Sequence, residues 1–278
     1  MDSQSLKPTP STSAKTKTVV VPRIPQEIID EILDHLATDG SKLLKSCSLV
    51  SKSWVPSCRR HLFHTVAFSR KNIPRWLRIF PVPEESPAHH VRCLWFVVRG
   101  YEDTPKKFFE HASWFTNVEQ VTLKAGGARL DKPLRASFSR LPPSVTSLTV
   151  SGDTASLGQI RDIMAQLPNL DDLSLSGRMG VTDDKTLVGI GAALRGRFGG
   201  KLELIRGYES EDVMNMLLEV PTGLNFTEVL IDGRNECLFS TVRLAEACSK
   251  TLVKLSYNIS FHCKYNSLSW ASWLERKY

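Results

Sequence analysis

Cys58, His61 and His64 recur at intervals of three, so a single helix would carry a thiol and two imidazoles on neighbouring positions. Thiolate and imidazole are ligands that zinc favours, but a structural site takes four, commonly as close pairs separated by a longer loop. No fourth ligand stands at such a spacing, so a metal site is not expected. His89-His90 is an isolated loop dipeptide. Asp171-Asp172 and Asp183-Asp184 flank strand-like runs. Two carboxylates there could divide the roles of general acid and base, yet adjacent acids at loop edges are ordinarily solvated. The stretch GIGAAL (189–194) opens like a dinucleotide-binding turn, but Leu194 occupies the place of the third glycine. Neither a phosphate-cradling G-x-x-x-x-G-K-[ST] nor a G-x-S-x-G nucleophile turn occurs. The chemistry-bearing residues therefore point away from an enzyme and imply no cofactor.

The elements around them are more informative. The chain has 278 residues, 41% hydrophobic and 23% charged, with a net charge of +7. That is a globular composition suited to one or two domains. The densest basic cluster is Arg70, Lys71, Arg75 and Arg78, interleaved with Trp76 and Phe80. It reads as a solvated face, with phosphate contact as the alternative. Cys47, Cys58, Cys93, Cys237, Cys248 and Cys263 form no C-x-x-C pair and mostly lie in apolar runs. Buried thiols in a reducing compartment are expected. No signal peptide and no run long enough to span a bilayer are visible, which predicts a soluble protein of the cytoplasm, the nucleus or both.

Met1 to Thr18 is rich in Ser, Thr, Pro and Lys and is expected to be disordered. Next, Ile24, Ile28, Ile32 and Leu36 recur every four residues, with Ile29 and Leu33 beside them. They form a wide apolar stripe on a helix that opens at Pro25. Gly40 ends it. A second helical run holds Leu43, Leu44, Cys47 and Val50 and closes on Trp54. Pro56 opens a third, PSCRRHLFHTV. Residues 19–68 thus read as a three-helix unit, followed by a linker over 69–87.

From residue 88 onward a short apolar alternation recurs: VRCLWF, VEQVTL, VTSLTV, LDDLSL, LELIRG, FTEVLI and LVKLSY. The first positions, Val91, Val118, Val145, Leu170, Leu202, Phe226 and Leu252, are separated by 27, 27, 25, 32, 24 and 26 residues. Helix-period stretches lie between them. They include Phe108, Ala112 and Phe115; Leu134, Phe138 and Leu141; Leu157, Ile160, Met164 and Leu167; Leu187, Ile190 and Leu194; and Val213, Met216, Leu217 and Val220. Leu238, Val242 and Ala245 form the last. Strand–helix units at a near-constant period mark a repeat array, in which stacked units share one core. A doubly wound sheet is the competing architecture. The array's open face would present Gln120, Thr122, Ser147, Thr149, Asp172, Ser174, Glu228, Lys254 and Ser256. Trp270 and Trp273 would close the core's end.

The segments IPQEIIDEILDHL (24–36), LLKSCSLVSKSW (43–54) and RRHLFHTV (59–66) together resemble an F-box, and the phrase SLVSKSW…CRRHLF resembles fungal F-box-like proteins in particular. Ile24-Pro25-Gln26-Glu27 matches the family's opening, and Val50 with Trp54 matches its later Val-x-x-x-Trp. The region from 88 to 278 resembles leucine-rich repeats in divergent form, without the usual Asn or Cys after the third leucine.

The resemblance implies an α/β chain: an N-terminal three-helix F-box followed by an irregular leucine-rich-repeat-like solenoid. It further implies a non-catalytic subunit of a Skp–cullin–F-box ubiquitin ligase in ubiquitin-dependent degradation. The helical unit would bind the Skp-type adaptor, and through it a cullin–RING ligase, while the repeats hold a protein substrate. Ile24, Pro25, Ile28, Ile29, Ile32, Leu33, Leu44, Leu49, Val50 and Trp54 are then expected at or just beneath the adaptor contact, with Ile28 and Ile32 outward and Leu36 inward. A repeat scaffold acting outside ubiquitination, with the basic cluster touching nucleic acid, is the alternative.

Overall fold

The computed structural model describes residues 24–69, 71–99, 111–126, 138–152, 156–177, 194, 196–205, 210–233 and 237–259. The N-terminal tail, Arg70, Asp183, Asp184, most of the GIGAAL stretch, the helix expected around Leu187 and Ile190, and Trp270 and Trp273 lie outside them.

Helix α1 (Gln26–Asp39) starts directly after Pro25, whose carbonyl accepts from Ile29 N. It stops at Gly40, where φ is +123°. A second carbonyl-to-amide ladder runs through α2 (Ser41–Cys47). The sequence pattern carried this helix on to Trp54. Instead a turn at Ser48–Val50 intervenes, and Ser51 accepts from Ser53 N to cap a single 3-10 turn, Lys52–Trp54. Short hydroxyl side chains compete for backbone partners in this way and end helices. Helix α3 (Val55–Leu62) follows, with Pro56 in its first turn where no N–H is required.

These helices share a core of their own. Ile29, Leu33, Leu44 and Cys58 are buried together, and Leu36, Ala37, Cys47, Trp54 and Leu62 pack around them. Ser57 Oγ donates to Asp30 Oδ1 across α1 and α3, and Gln26 Nε2 donates to the same oxygen at 2.9 Å. Those two hydrogen bonds, Ser57 foremost, hold the Asp30 carboxyl below the usual carboxylate range.

The third helix was expected to run to Val66, but it ends at Leu62. Thr65 and Val66 begin strand β1 (Thr65–Ser69). The β-branched pair and the period-two burial of Val66 and Phe68 favour the strand. The stretch expected to be a linker contains helix α4 (Ile73–Ile79), and buried Ile73 and half-buried Trp76 belong to the core of the sheet. The sheet continues through β2 (Cys93–Arg99), β3 (Gln120–Gly126), β4 (Ser147–Gly152), β5 (Asp172–Ser176), β6 (Lys201–Ile205), β7 (Glu228–Gly233) and β8 (Lys254–Ile259). Helix α5 (Leu157–Met164) follows β4, α6 (Ser210–Leu218) follows β6, and α7 (Leu238–Ala247) follows β7.

The protein is therefore an α/β chain with an eight-stranded sheet. All neighbours pair in parallel, and the strands lie in strict sequence order. The doubly wound alternative requires a reversal of strand order; among the described strands the order does not reverse.

Alternate positions define the two faces. One buried row runs Leu94, Val121, Leu148, Leu173, Leu202 and Val229, and the next runs Phe96, Leu123, Val150, Leu175, Leu204 and Ile231. Ile160, Ile163, Val213, Leu217 and Leu244 from the helices join the same core. Of the helical stretches read over Phe108, Ala112 and Phe115 and over Leu134, Phe138 and Leu141, Phe108 and Leu134 lie outside the described residues, and the described parts hold 3-10 turns at Ala112–Trp114 and Phe138–Arg140. The β1 end of this core is aromatic: Phe68 and Trp76 meet edge-to-face at 5.3 Å, and Phe115 lies 5.7 Å from Phe68.

One small device recurs along the stack. Three residues before a strand, a polar side chain reaches back to a carbonyl of the preceding layer. Asn117 donates to His89 O at 2.6 Å, Asn169 to Pro143 O at 2.8 Å, Ser144 to Val118 O at 2.7 Å and Thr251 to Phe226 O at 3.2 Å. Each pairs a carbonyl that the parallel ladder leaves free at the strand entry. Among the described residues, Asn117 and Asn169 thus stand before a strand. At the other end of the strands, Gly152 has φ +124° and approaches so closely that a Cβ would stand 1.8 Å from Ala125 O. Among the described residues no helix is long and apolar enough to cross a membrane.

Candidate functional site

Two surfaces stand out. The first lies on the helical unit, where the ten residues singled out above divide by burial. Ile29, Leu33 and Leu44 form the internal core, and Trp54 is half-buried against it. These four stand beneath the surface. Ile24, Pro25, Ile28, Ile32, Leu49 and Val50 are exposed, Leu49 by 87%. Ile24 precedes the helix, and Ile28 and Ile32 lie one turn apart on one face of α1. Leu36, one turn further on, is half-buried against the internal core. The spacing alone could not say which side of the stripe turns inward; Ile29 and Leu33 show that it is the adjacent one. Leu43 is also exposed. The number of exposed aliphatics on a unit this small makes it a candidate docking element. The polar rim holds Asp34, whose Oδ1 accepts from Arg60 at 3.0 Å. His61 Nε2 lies 2.8 Å from the same oxygen but is not aligned for a hydrogen bond.

The second surface is the open face of the sheet. Its central row runs Ala67, Trp95, Thr122, Thr149, Ser174, Glu203, Leu230 and Ser256. Gln120, Ser147, Asp172, Glu228 and Lys254 occupy the flanking row, as the alternation predicted. Strands β2 and β6 were missing from that expectation, although β2 places the large aromatic Trp95 on this face. Trp95 is exposed, and Lys124 Nζ lies 4.7 Å from its ring centroid. Within VRCLWF it looks like part of an apolar run; only the buried neighbours Leu94 and Phe96 reveal its direction. Towards β8 the face becomes charged. Ser174 Oγ donates to Glu203 Oε2 at 3.0 Å, Lys201 pairs with Glu203 at 3.5 Å, and Lys254 lies 3.9 Å from Glu228.

The residues that could do chemistry are dispersed. Cys58 is buried in the helical core, whereas His64 is exposed beyond the end of α3 and lies 4.0 Å from Cys93 Sγ. Among the described residues no cluster of three His, Cys, Asp or Glu is placed to hold a metal. Burial raises the Cys58, Cys93 and Cys248 thiols, the opposite of what a nucleophile requires. Asp172 Oδ1 accepts from Lys201 N at 2.6 Å, a structural bond between neighbouring strands. His89 and His90 lie with ring centroids 3.9 Å apart, and burial, then His89, Arg59 and Arg60, lowers the His90 pKa. Lys71, Arg75 and Arg78 are exposed, but Trp76 packs inward against Phe68, Phe63 and Phe80. It offers no platform on which a nucleic-acid base could stack between them. No known protein family matches the chain, and no curated protein matches it.

Proposed function

We propose that the chain is a non-catalytic recruiting subunit of a Skp–cullin–F-box ubiquitin ligase. In this reading the N-terminal helices are an F-box that docks on a Skp-type adaptor, and the strand–helix stack is a divergent leucine-rich-repeat solenoid that holds a protein substrate. The observation that carries it is the division of the α1 stripe. Ile29 and Leu33 are consumed by a small internal core, while Ile28 and Ile32 remain exposed, as are Ile24 before the helix and Leu43, Leu49 and Val50 after it. A unit with a satisfied core and a second apolar face is built to bind something. The strictly sequential parallel sheet supports the solenoid half of the reading, since each described strand pairs only with its sequence neighbours. Tethering a substrate near a charged enzyme acts through effective concentration and requires no catalytic group in this chain.

The test is an adaptor pull-down with the full chain carrying Ile28→Asp and Ile32→Asp. Both side chains are exposed, so the internal core is left intact. Burying two such aliphatics is worth roughly 1.5–3 kcal/mol each, so adaptor affinity should fall at least ~100-fold, with an unchanged circular dichroism spectrum. Wild-type affinity in that variant would overturn the proposal.

A further inference from the structure

Strand β1 ends the sheet, and among the described residues no strand pairs with it on the side away from β2. Such an edge presents a row of backbone N–H and C=O groups to any extended chain. The register fixes which groups these are. Thr65 pairs with Cys93, and Cys93 N donates to His64 O. Successive residues of a strand turn their backbone groups to opposite sides. His64, Val66 and Phe68 therefore face β2, while Thr65, Ala67 and Ser69 face outward. The strand itself, TVAFS, carries no charge and no proline, the devices that commonly protect an edge.

Asn72 supplies the protection instead. Its Nδ2 donates to Ala67 O at 2.7 Å, and its Oδ1 accepts from Ser69 N at 2.7 Å. In a parallel pair, a residue opposite Phe68 would donate to the carbonyl before it and accept from the amide after it. The Asn72 carboxamide, chemically a peptide group, makes those same two bonds. Its backbone N adds a third, to Ser69 O at 3.1 Å. The side-chain bonds need a donor and an acceptor on two atoms of one short arm, which among side chains of this length asparagine offers and aspartate does not. Helix capping does not account for the residue. Asn72 stands just before α4, where asparagine ordinarily caps the first amides, yet its side chain makes no cap bond there.

We propose that Asn72 closes the β1 edge as a one-residue strand mimic and so keeps two copies of this chain from joining their sheets edge to edge. The occupant it excludes is β1 of a second copy. The outward groups of Thr65, Ala67 and Ser69 complement themselves when two such strands meet antiparallel about a two-fold axis, and no charge in the strand opposes that pairing. The device rests on the sheet alone and is independent of the ligase reading.

The test compares full-length wild type, Asn72→Ala and Asn72→Asp by light scattering over a concentration series and by amide hydrogen exchange. Asn72→Ala removes both side-chain bonds. At low concentration its Ser69 amide should exchange at least ~10-fold faster than in wild type. As concentration rises its mass should approach that of a dimer and Ser69 protection should return, changes that wild type should not show. Asn72→Asp keeps an acceptor for Ser69 N, loses the donor to Ala67 O and sets a charge on the edge, so it should stay monomeric with Ser69 protected. Wild-type exchange at Ser69 in Asn72→Ala, or a mass that rises no more than in wild type, would refute the proposal. Equal association of both variants, or association with faster exchange in β3 to β5, would refute it too, because unfolding and not an opened edge would then be the cause.

Discussion

Replacing Leu33 with alanine removes a fully buried side chain from a small core whose other buried apolar members among the described residues are Ile29, Leu44 and Cys58. A leucine-to-alanine change in a packed interior costs about 2–5 kcal/mol, set by how far the site collapses around the cavity. This site has little room to collapse, because three short helices already meet there and the Asp30–Ser57 bond fixes the spacing of α1 and α3. A middle value of about 3 kcal/mol corresponds to roughly a hundredfold change in the opening equilibrium. The core of the sheet is a separate cluster, so the cost should stay within the helical unit. Native-state amide exchange measures this directly. Amides of α1 to α3 should exchange about a hundredfold faster in Leu33→Ala, and those of β3 to β5 should be unchanged. Ile28→Ala, on the exposed side of the same helix, should alter exchange by less than about twofold, matching the ~0.5 kcal/mol bound for surface changes. Equal acceleration in the helices and the strands would refute the separation of the two cores. Equal effects of the two substitutions would refute the assignment of inner and outer faces on α1.

Two other perturbations bear on the fold. Gly152→Ala should destabilise the protein by at least ~2 kcal/mol in urea denaturation, because φ is +124° and the new Cβ would meet Ala125 O; Gly223→Ala, with no atom in the way, should cost less. The Asp30 carboxyl is held low by Ser57 and Gln26, so its stabilising contribution is present above the ordinary carboxylate pKa and fades as pH falls through the folded value. The stability gap between wild type and Asp30→Asn should therefore be larger at about pH 6 than at about pH 3, and a gap that widens with acid would contradict the hydrogen-bonded geometry.

Much of this architecture was legible because each strand must place the same two side chains in the core. Val121 and Leu123, Leu148 and Val150, and Leu173 and Leu175 repeat that requirement visibly, and the polar residues between them identify the open face. The pattern misled where the alternation broke. Trp95 stands on the open face of β2 within an otherwise apolar run, so its direction was hidden. Helix α7 spaces Leu238 and Val242 like core residues, yet buries Ser240 and Thr241. Periodicity locates an apolar stripe but not the neighbour it faces, and at the end of a stack there are two candidates. Strand β1 was masked by the helix before it, since a single turn separates Leu62 from Thr65. For the helical unit, the spacing revealed the stripe, while only packing could assign Ile28 and Ile32 to one side and Ile29 and Leu33 to the other.

The ladder of strands in strict chain order also has a meaning in time. Paired residues in adjacent strands lie 25 to 29 positions apart, from Ser147 with Asp172 to Leu173 with Leu202. Each strand after β1 therefore finds its preceding neighbour already made when it leaves the ribosome. Asn117, Ser144, Asn169 and Thr251, each three residues ahead of a strand, arrive just before the segment they anchor. The layers can therefore be added to the sheet in the order in which the chain is read.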